Sequence, residues 1–323
     1  NDRVIERRHG MWSAENPPFG AVFTYWLRDG FKSKRDARLE LEKEAREEEA
    51  DTPVATMEEL RAEDLEVGPK LHLVIRDGAG SIVRRVPAGH EAGLQRVAWD
   101  LRLASAAPTD LSPPENRMPW ESPEKGPLAL PGTYTATLES WVEGEWTALT
   151  TPTSVDVVPL NLGTLPPADP QSVLAFRMET RDLRRAVLGA SELLGEVDNR
   201  LNHLREALIA TSDADPALMV ELEALKARYD TINLAMNGDR TKGSRNVFTP
   251  PSIVNRVQRI AYDQWDTTQA PTNTHRQAYV WAKDAFEVEY ANIQQLVTDL
   301  ELLEAKAEAA GAPWTPGRVP SWP

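Results

Sequence analysis

The chain has 323 residues, with 36 lysines and arginines against 50 aspartates and glutamates, a formal charge of −14. Such acidity argues against a nucleic-acid groove or an anionic membrane surface as partner, because both select basic proteins. Cysteine is absent, which excludes disulfides, thiolate nucleophiles and thiolate metal sites, and the apolar runs are too short to predict membrane insertion.

The N-terminal residues introduce the first strand. The opening run NDRVIERR has no initiator methionine and no apolar signal segment, so we expect any targeting signal to lie upstream or to have been removed. Residues Ala21 to Leu27 are rich in β-branched and aromatic side chains and follow the turn-forming run PPFG at 17–20. This composition predicts a β-strand.

Residues 31–66 have a different, charged and helix-forming composition in which few apolar positions recur. The pattern predicts a solvated helix or helical hairpin, inserted between strands and lying across their sheet.

Short strand signals then recur with glycine or proline turns between them. Several short, alternating segments of this kind predict an Ig/fibronectin-III-like β-sandwich over residues 1–162. A proline-rich stretch at 104–131, with seven prolines and little periodicity, predicts a long surface loop of that sandwich. The remaining strands are predicted at 71–75, 81–84, 95–101, 133–138, around Trp141 and Trp146, and at 155–158.

The apolar period changes after a linker at 159–170. Asp-Pro pairs at 169–170 and 215–216 predict capped helix starts, and further helices are predicted after Pro250 and from about Thr272. Residues 163–323 therefore predict an antiparallel four-helix bundle with a C-terminal tail. Its first helix carries a heptad-like seam of Leu183, Val187, Ala190, Leu194, Val197, Leu201, Leu204 and Leu208.

The residue patterns that carry chemistry are missing. None of the five histidines has metal-ligand spacing, and neither Gly-x-Ser-x-Gly nor a phosphate-loop order occurs. Carboxylates are too frequent for a glycosidase pair to be identified by spacing. The sequence thus predicts no catalytic, no cofactor-binding and no metal-binding residue.

Tryptophans offer the clearest candidates for contact with a partner. Those in regular elements, Trp99, Trp141, Trp146 and Trp281, are predicted to be core residues. Tryptophans near proline-rich loops or segment ends, including Trp322, could stack on sugar rings or dock another domain, and we favour docking. The candidate docking residues are Trp12, Pro17, Pro18, Phe19, Trp26, Trp120 and Trp314.

Several motifs carry a family resemblance. The run ENPPFGAVFTYWL at 15–27 resembles a segment found late in large bacterial proteins with sortilin-like or BNR-repeat β-propellers, often labelled glycosyl hydrolases. The tail AGAPWTPGR at 310–318 is similar to the C-terminus of that family. The stretches at 75–84 and 93–102, with PGTY at 131–134, also resemble the Ig-like domain of flagellar hook-capping proteins.

The resemblance implies an extracytoplasmic protein, whether periplasmic, cell-surface or secreted, with propeller domains upstream of this chain. Together with the lack of catalytic patterns, it favours a non-catalytic structural and interaction segment that contacts those propellers, a second copy or a cell-surface partner. The alternative is part of a glycoside hydrolase, in which loops 104–131 and 238–249 complete a site formed mainly by the propellers.

Overall fold

The computed structural model describes residues 17–111, 124–160, 168–320 and 322. The chain divides into two compact units. Residues 1–102 and 131–159 form the first, which we call the sheet unit, and residues 103–130 and 160–323 form the second, the helical unit. Since the described residues form both antiparallel strands and helices, the predicted combination of β and α structure is confirmed.

The sheet unit contains two antiparallel sheets. In the smaller, β1 (Ala21–Leu27) pairs with β4 (Gly93–Trp99). In the larger, the strand order is β3-β2-β5-β6, with β7 also paired to β5. These strands are β2 (Lys70–Arg76), β3 (Ile82–Ala88), β5 (Gly132–Val142), β6 (Glu145–Ala148) and β7 (Thr153–Val157).

Trp99 connects the two sheets of this unit. It is fully buried, and its ring centroid lies 5.0 Å from that of Tyr134 on β5 in an edge-on contact. Its indole Nε1 donates a hydrogen bond to the Arg102 carbonyl at 2.9 Å. Its burial confirms the predicted core position, and along β4 it alternates with outward-facing neighbours.

The charged stretch forms two helices, α1 (Lys34–Glu47) and α2 (Met57–Leu65), between β1 and β2. Neither helix has a buried residue. Ion pairs connect them instead, since Arg38 Nε and Nη2 donate to the Glu63 carboxylate at 2.6 and 2.9 Å. The predicted helical insertion is therefore a hairpin stabilised mainly by polar contacts.

The helical unit is formed by helices that share one apolar core. Aspartate caps begin α3 and α4, followed in each by proline at the first helical position. Every predicted seam residue of α3 is buried except Leu183, which is partly buried against the same core. The helices are α3 (Pro170–Ala210), α4 (Pro216–Asn237), the short α5 (Arg240–Gly243), α6 (Ile253–Trp265) and α7 (Asn273–Ala309).

The tail after α7 is attached by charged hydrogen bonds. Arg318 Nη1 donates to the Glu304 carbonyl at 2.8 Å and lies 3.2 Å from a Glu308 carboxylate oxygen. Glu304 is 1% exposed and accepts from Arg200 Nε and Nη2 at 3.0 and 2.6 Å. The tail is thus part of the helical unit.

The proline-rich stretch differs from its prediction as a loop of the sandwich. Its described parts, residues 103–111 and 124–130, belong to the helical unit. Leu103 N donates to the Pro127 carbonyl at 2.9 Å, and Arg184 of α3 donates to Glu124 at 2.7 Å. Individual polar contacts of this kind leave no periodicity in a sequence, so composition alone indicated a loop of the wrong unit.

Two predicted core tryptophans are on the surface. Trp146 is 43% exposed and Trp281 is 57% exposed. Each packs a ring face against an arginine, with Arg85 5.2 Å from the Trp146 ring centroid and Arg256 5.4 Å from that of Trp281. The core prediction was wrong for both, because a tryptophan in a regular element can cover a cationic side chain at the surface.

Candidate functional site

The predicted docking residues are distributed over both units. Pro17, Pro18 and Phe19 are exposed immediately before β1, and Trp26 is exposed near the other end of that strand. Trp314 belongs to the helical unit. Trp12 and Trp120 lie outside the described residues, so the structure places only Pro17, Pro18, Phe19 and Trp26 on one strand and its lead-in.

The outward side of the β1–β4 sheet, which we call the outer face, is partly apolar. Trp26 and Leu94 are register partners, and they are 63% and 69% exposed. Val22, on the same side of β1, is 46% exposed, while the pair Thr24 and Arg96 lies between the apolar positions. The face therefore combines a cross-strand apolar pair with a polar middle.

Strand alternation produces this arrangement. Phe23 and Tyr25 point to the inner side of β1 and are partly buried. On β4, Val97 pairs with Phe23 and Trp99 pairs with Ala21, and both β4 residues are buried. Because successive side chains point to opposite sides of a strand, filling the inner side with aromatic residues leaves Val22 and Trp26 outward. The same residues that complete the core thus orient the outer face.

Gly20 fixes the start of β1. Its φ of +111° is one that side-chain-bearing residues rarely adopt. A Cβ at this position would lie 2.0 Å from the Trp99 carbonyl oxygen. This close approach places the PPFG turn against β4 and fixes the position of Phe19 just before β1.

Tyr25 fixes the strand near its other end. Its hydroxyl donates to the Gly89 carbonyl at 2.6 Å, and burial raises the pKa of the phenol above its usual value. The next residue, Trp26, lines an open cleft of about 660 Å³ whose wall includes Arg28, Phe31 and Leu149. A rigid strand therefore presents Trp26 at the rim of a shallow concave surface.

β1 also has an open edge. Within the described ranges it pairs with β4 alone, so its other side has no hydrogen-bonded strand. An exposed edge beside an apolar face is a recurrent feature of surfaces that pair with another polypeptide. The geometry of this region is suited to binding.

Titratable groups of the described residues form no comparable constellation. In the ranges that the structure covers, no three His, Asp or Glu side chains converge as a metal site would require. Burial, followed by the charges of Lys70 and Arg85, lowers the pKa of His72. Its ring contacts Trp146 edge-on at 5.3 Å, so His72 is explained as a packed side chain of the larger sheet.

Trp314 is a separate case, because its exposure is accompanied by a specific hydrogen bond. Its indole Nε1 donates to the Arg318 carbonyl at 2.8 Å, while 57% of the residue is exposed. The bond closes the WTPGR turn of the tail. Trp314 therefore has a local role in the helical unit besides any contact it makes with a partner.

Two sets of residues were missed by sequence reasoning. Val22 and Leu94 belong to the outer face, and their period-two spacing from Trp26 and Arg96 could have identified them. The second set is polar: Arg177, Thr180 and Arg184 are buried on α3. They continue the three- and four-residue spacing of the seam back from Val187, a signal hidden because only apolar residues were followed.

No family model, curated protein or solved structure matches the chain. Within the described residues, no helix combines the length and the apolar character needed to cross a bilayer.

Proposed function

We propose that this chain is a non-catalytic structural and interaction segment of a larger exported protein, and that its outer face docks on a β-propeller domain of the same protein. The observation that carries the proposal is the exposed cross-strand pair of Trp26 and Leu94, on a strand fixed by Gly20 and Tyr25. The propeller and the extracytoplasmic location come from the motif resemblance.

The proposal includes an architecture for each unit. The sheet unit is taken as an Ig/fibronectin-III-like sandwich, supported by the two antiparallel sheets and the Trp99–Tyr134 contact. The helical unit is taken as an antiparallel four-helix bundle, supported by the common apolar core of its helices. Both are scaffolds that present surfaces on rigid elements.

The free energy of burying apolar side chains favours a docking role for Trp26 and Leu94. Complete burial of a large apolar side chain contributes about 1.5–3 kcal/mol, and interface tryptophans are frequent energetic centres. Trp26 gains this contribution with little ordering cost, because β1 already holds its backbone in place. The neighbouring Thr24–Arg96 pair adds polar groups that select the partner's orientation.

Binding to the separately expressed propeller domains of the parent protein tests the proposal. Trp26→Ala and Leu94→Ala should each weaken the complex by roughly tenfold or more. Trp281→Ala is the matched control, because Trp281 is similarly exposed, at 57%, but lies in the helical unit. It should leave the affinity unchanged.

Two results would refute the proposal. A reading frame around this chain that encodes no β-propeller would remove the partner. Turnover of glycosides by the purified chain, lost on replacing one carboxylate, would instead favour the glycoside hydrolase alternative.

A further inference from the structure

The buried seam of α3 is apolar from Val187 onward but includes polar residues in the first half of the helix. Going back from Val187, the seam continues through Arg184, Thr180 and Arg177. Arg184 is 3% exposed and Arg177 is 5% exposed. Arginine seldom occupies such positions, because the cost of removing its charge from water must be offset by a partner.

Arg184 has only part of its hydrogen-bonding capacity filled. Its Nη2 donates to Glu124 Oε2 at 2.7 Å. Its buried Nε and Nη1 have no hydrogen-bond partner among the described residues. A guanidinium binds an oxyanion in bidentate fashion through Nε with Nη2, or through Nη1 with Nη2. Glu124 engages Nη2 alone, so each of these edges is half occupied.

The guanidinium plane is held by an aromatic ring. Arg184 Cζ lies 5.1 Å from the ring centroid of Trp265, which is 6% exposed. A cation–π contact with a buried ring restricts how the planar fork can turn. The edges of Arg184 are therefore presented in a fixed direction, as in a preorganised binding group.

Glu124, the carboxylate paired with Arg184, is much more exposed than the guanidinium. The Arg184 side chain is 4% exposed, whereas that of Glu124 is 54% exposed. An anion bonded to Nη2 thus lies at the boundary between core and solvent. A ligand that replaces the exposed Glu124 carboxylate would therefore approach Nη2 from the solvent side.

The local charge also favours an anion. Residues 170–187 contain four arginines and two acidic residues, a net charge of +2 in a chain of −14. An acidic ligand group is therefore attracted to this segment of α3.

We propose that Arg184, framed by Trp265, is a binding site for the oxyanion group of a ligand, a carboxylate or a phosphate. The ligand takes the place of the Glu124 carboxylate and completes a bidentate edge of the guanidinium. This site lies wholly in the helical unit and is independent of the proposed docking function.

Anion titrations on the full chain test the site. Inorganic phosphate and acetate are added separately at constant ionic strength set with chloride, and binding is followed by calorimetry and by the midpoint of thermal unfolding. Phosphate, acetate or both should bind and raise the midpoint. Comparing the two titrations shows whether the site prefers a tetrahedral oxyanion, phosphate, or a planar one, acetate.

A matched pair of carboxylate variants provides the sharpest comparison. Glu124→Gln removes the competing charge and should tighten anion binding by roughly threefold or more. Glu223→Gln is the control, because Glu223 is 56% exposed and pairs with another α3 arginine, Arg205, at 3.0 Å. It should leave anion binding unchanged.

Arg184→Lys keeps the charge but removes the fork, and it should weaken binding by roughly tenfold. If that variant does not fold, the comparison of Glu124→Gln with Glu223→Gln decides. The proposal is overturned if neither anion binds the wild-type chain or Glu124→Gln. It is equally overturned if Glu124→Gln binds no more tightly than Glu223→Gln, or if a folded Arg184→Lys chain binds as the wild type does.

Discussion

At the start of β1, position 20 combines a positive φ with a backbone contact. In Gly20→Ala, the new Cβ would meet the Trp99 carbonyl at 2.0 Å, so β1 or β4 must shift. We expect a loss of roughly 2 kcal/mol or more in the unfolding free energy of the sheet unit, from backbone strain together with displaced packing. Chemical denaturation followed by near-UV circular dichroism measures it.

Gly80→Ala is the control that measures the cost of a side chain at positive φ without the packing contact. Gly80 also has a positive φ, +82°, but no atom lies within 4 Å of its added Cβ. Its substitution should cost only about 1 kcal/mol. Equal losses at both positions would show that the contact with Trp99 has no energetic consequence.

Two tryptophans on neighbouring sheets should respond very differently to truncation. Trp99→Ala removes a fully buried ring and should destabilise the sheet unit by about 3–5 kcal/mol. Trp146→Ala removes a ring that is 43% exposed and packed on Arg85, and should cost about 1 kcal/mol. The same denaturation experiment compares them, and similar losses would contradict the assignment of Trp146 to the surface.

These two residues also show what a strand pattern can predict. Alternation correctly assigned Trp99 to the core, because its flanking residues Ala98 and Asp100 mark the other side. Trp146 was assigned to the core only because it lies in a strand, and alternation could not have corrected this, since β6 has four residues, all exposed. The choice between core and surface there depended on Arg85, which is distant in sequence.

At the scale of elements, the α1–α2 hairpin should be the acid-sensitive part of the sheet unit. Hydrogen bonds from Thr56 lower the pKa of Glu59, and those from Arg38 lower the pKa of Glu63, both below the usual 4.5. A carboxylate with a depressed folded-state pKa adds stability that is complete above its unfolded pKa. That stability is lost as the pH falls through the folded value, so the hairpin should lose helicity progressively as the pH falls below the usual 4.5.

Cα chemical shifts across an acid titration test this expectation. Shifts in α2 should move toward coil values while those in α4, whose apolar side is buried, remain helical. Glu63→Gln should weaken the contact with Arg38 already at neutral pH, and it should reduce the pH dependence of α2 helicity. Simultaneous loss of α2 and α4 would indicate cooperative acid unfolding and contradict a locally stabilised hairpin.

The helices were predicted better than the site that they contain. Aspartate–proline starts and aliphatic spacing located α3 and α4, because those signals are local. Arg177 and Arg184 have the same spacing, but an apolar search passes over them. Only the folded chain brings Trp265 and Glu124 to Arg184, and neither residue is marked by spacing. The outer face was anticipated in part through Trp26, whereas Leu94 required the register of β1 with β4.

For the whole molecule, the helical unit gives a fragment test of its tail. Residues 168–320 expressed alone should be helical and unfold cooperatively, because their core is made by α3, α4, α6 and α7. Ending the fragment at residue 311 removes Arg318 and its bond to the Glu304 carbonyl. We expect a loss of roughly 1.5–3 kcal/mol, the range for a hydrogen bond to a charged group.

Thermal and urea unfolding of the two fragments measures the difference. Arg318→Ala in the longer fragment should reproduce most of the loss. A longer fragment that is not helical would contradict an independent helical core, and equal stability of the two fragments would show that the tail contributes nothing.

The order in which the chain enters its two units bears on how the protein is made. The sheet unit takes residues up to 102, is interrupted by 103–130 of the helical unit, and resumes at 131. During synthesis, β2 emerges from the ribosome well before its partner β5, and so it waits with one edge open while the interrupting segment is made. That segment in turn waits for α3, since its Glu124 pairs with Arg184. Neither unit can be completed before translation of the other has begun, so part of the nascent chain must stay unfolded over a long span, with unpaired strand edges exposed in the meantime.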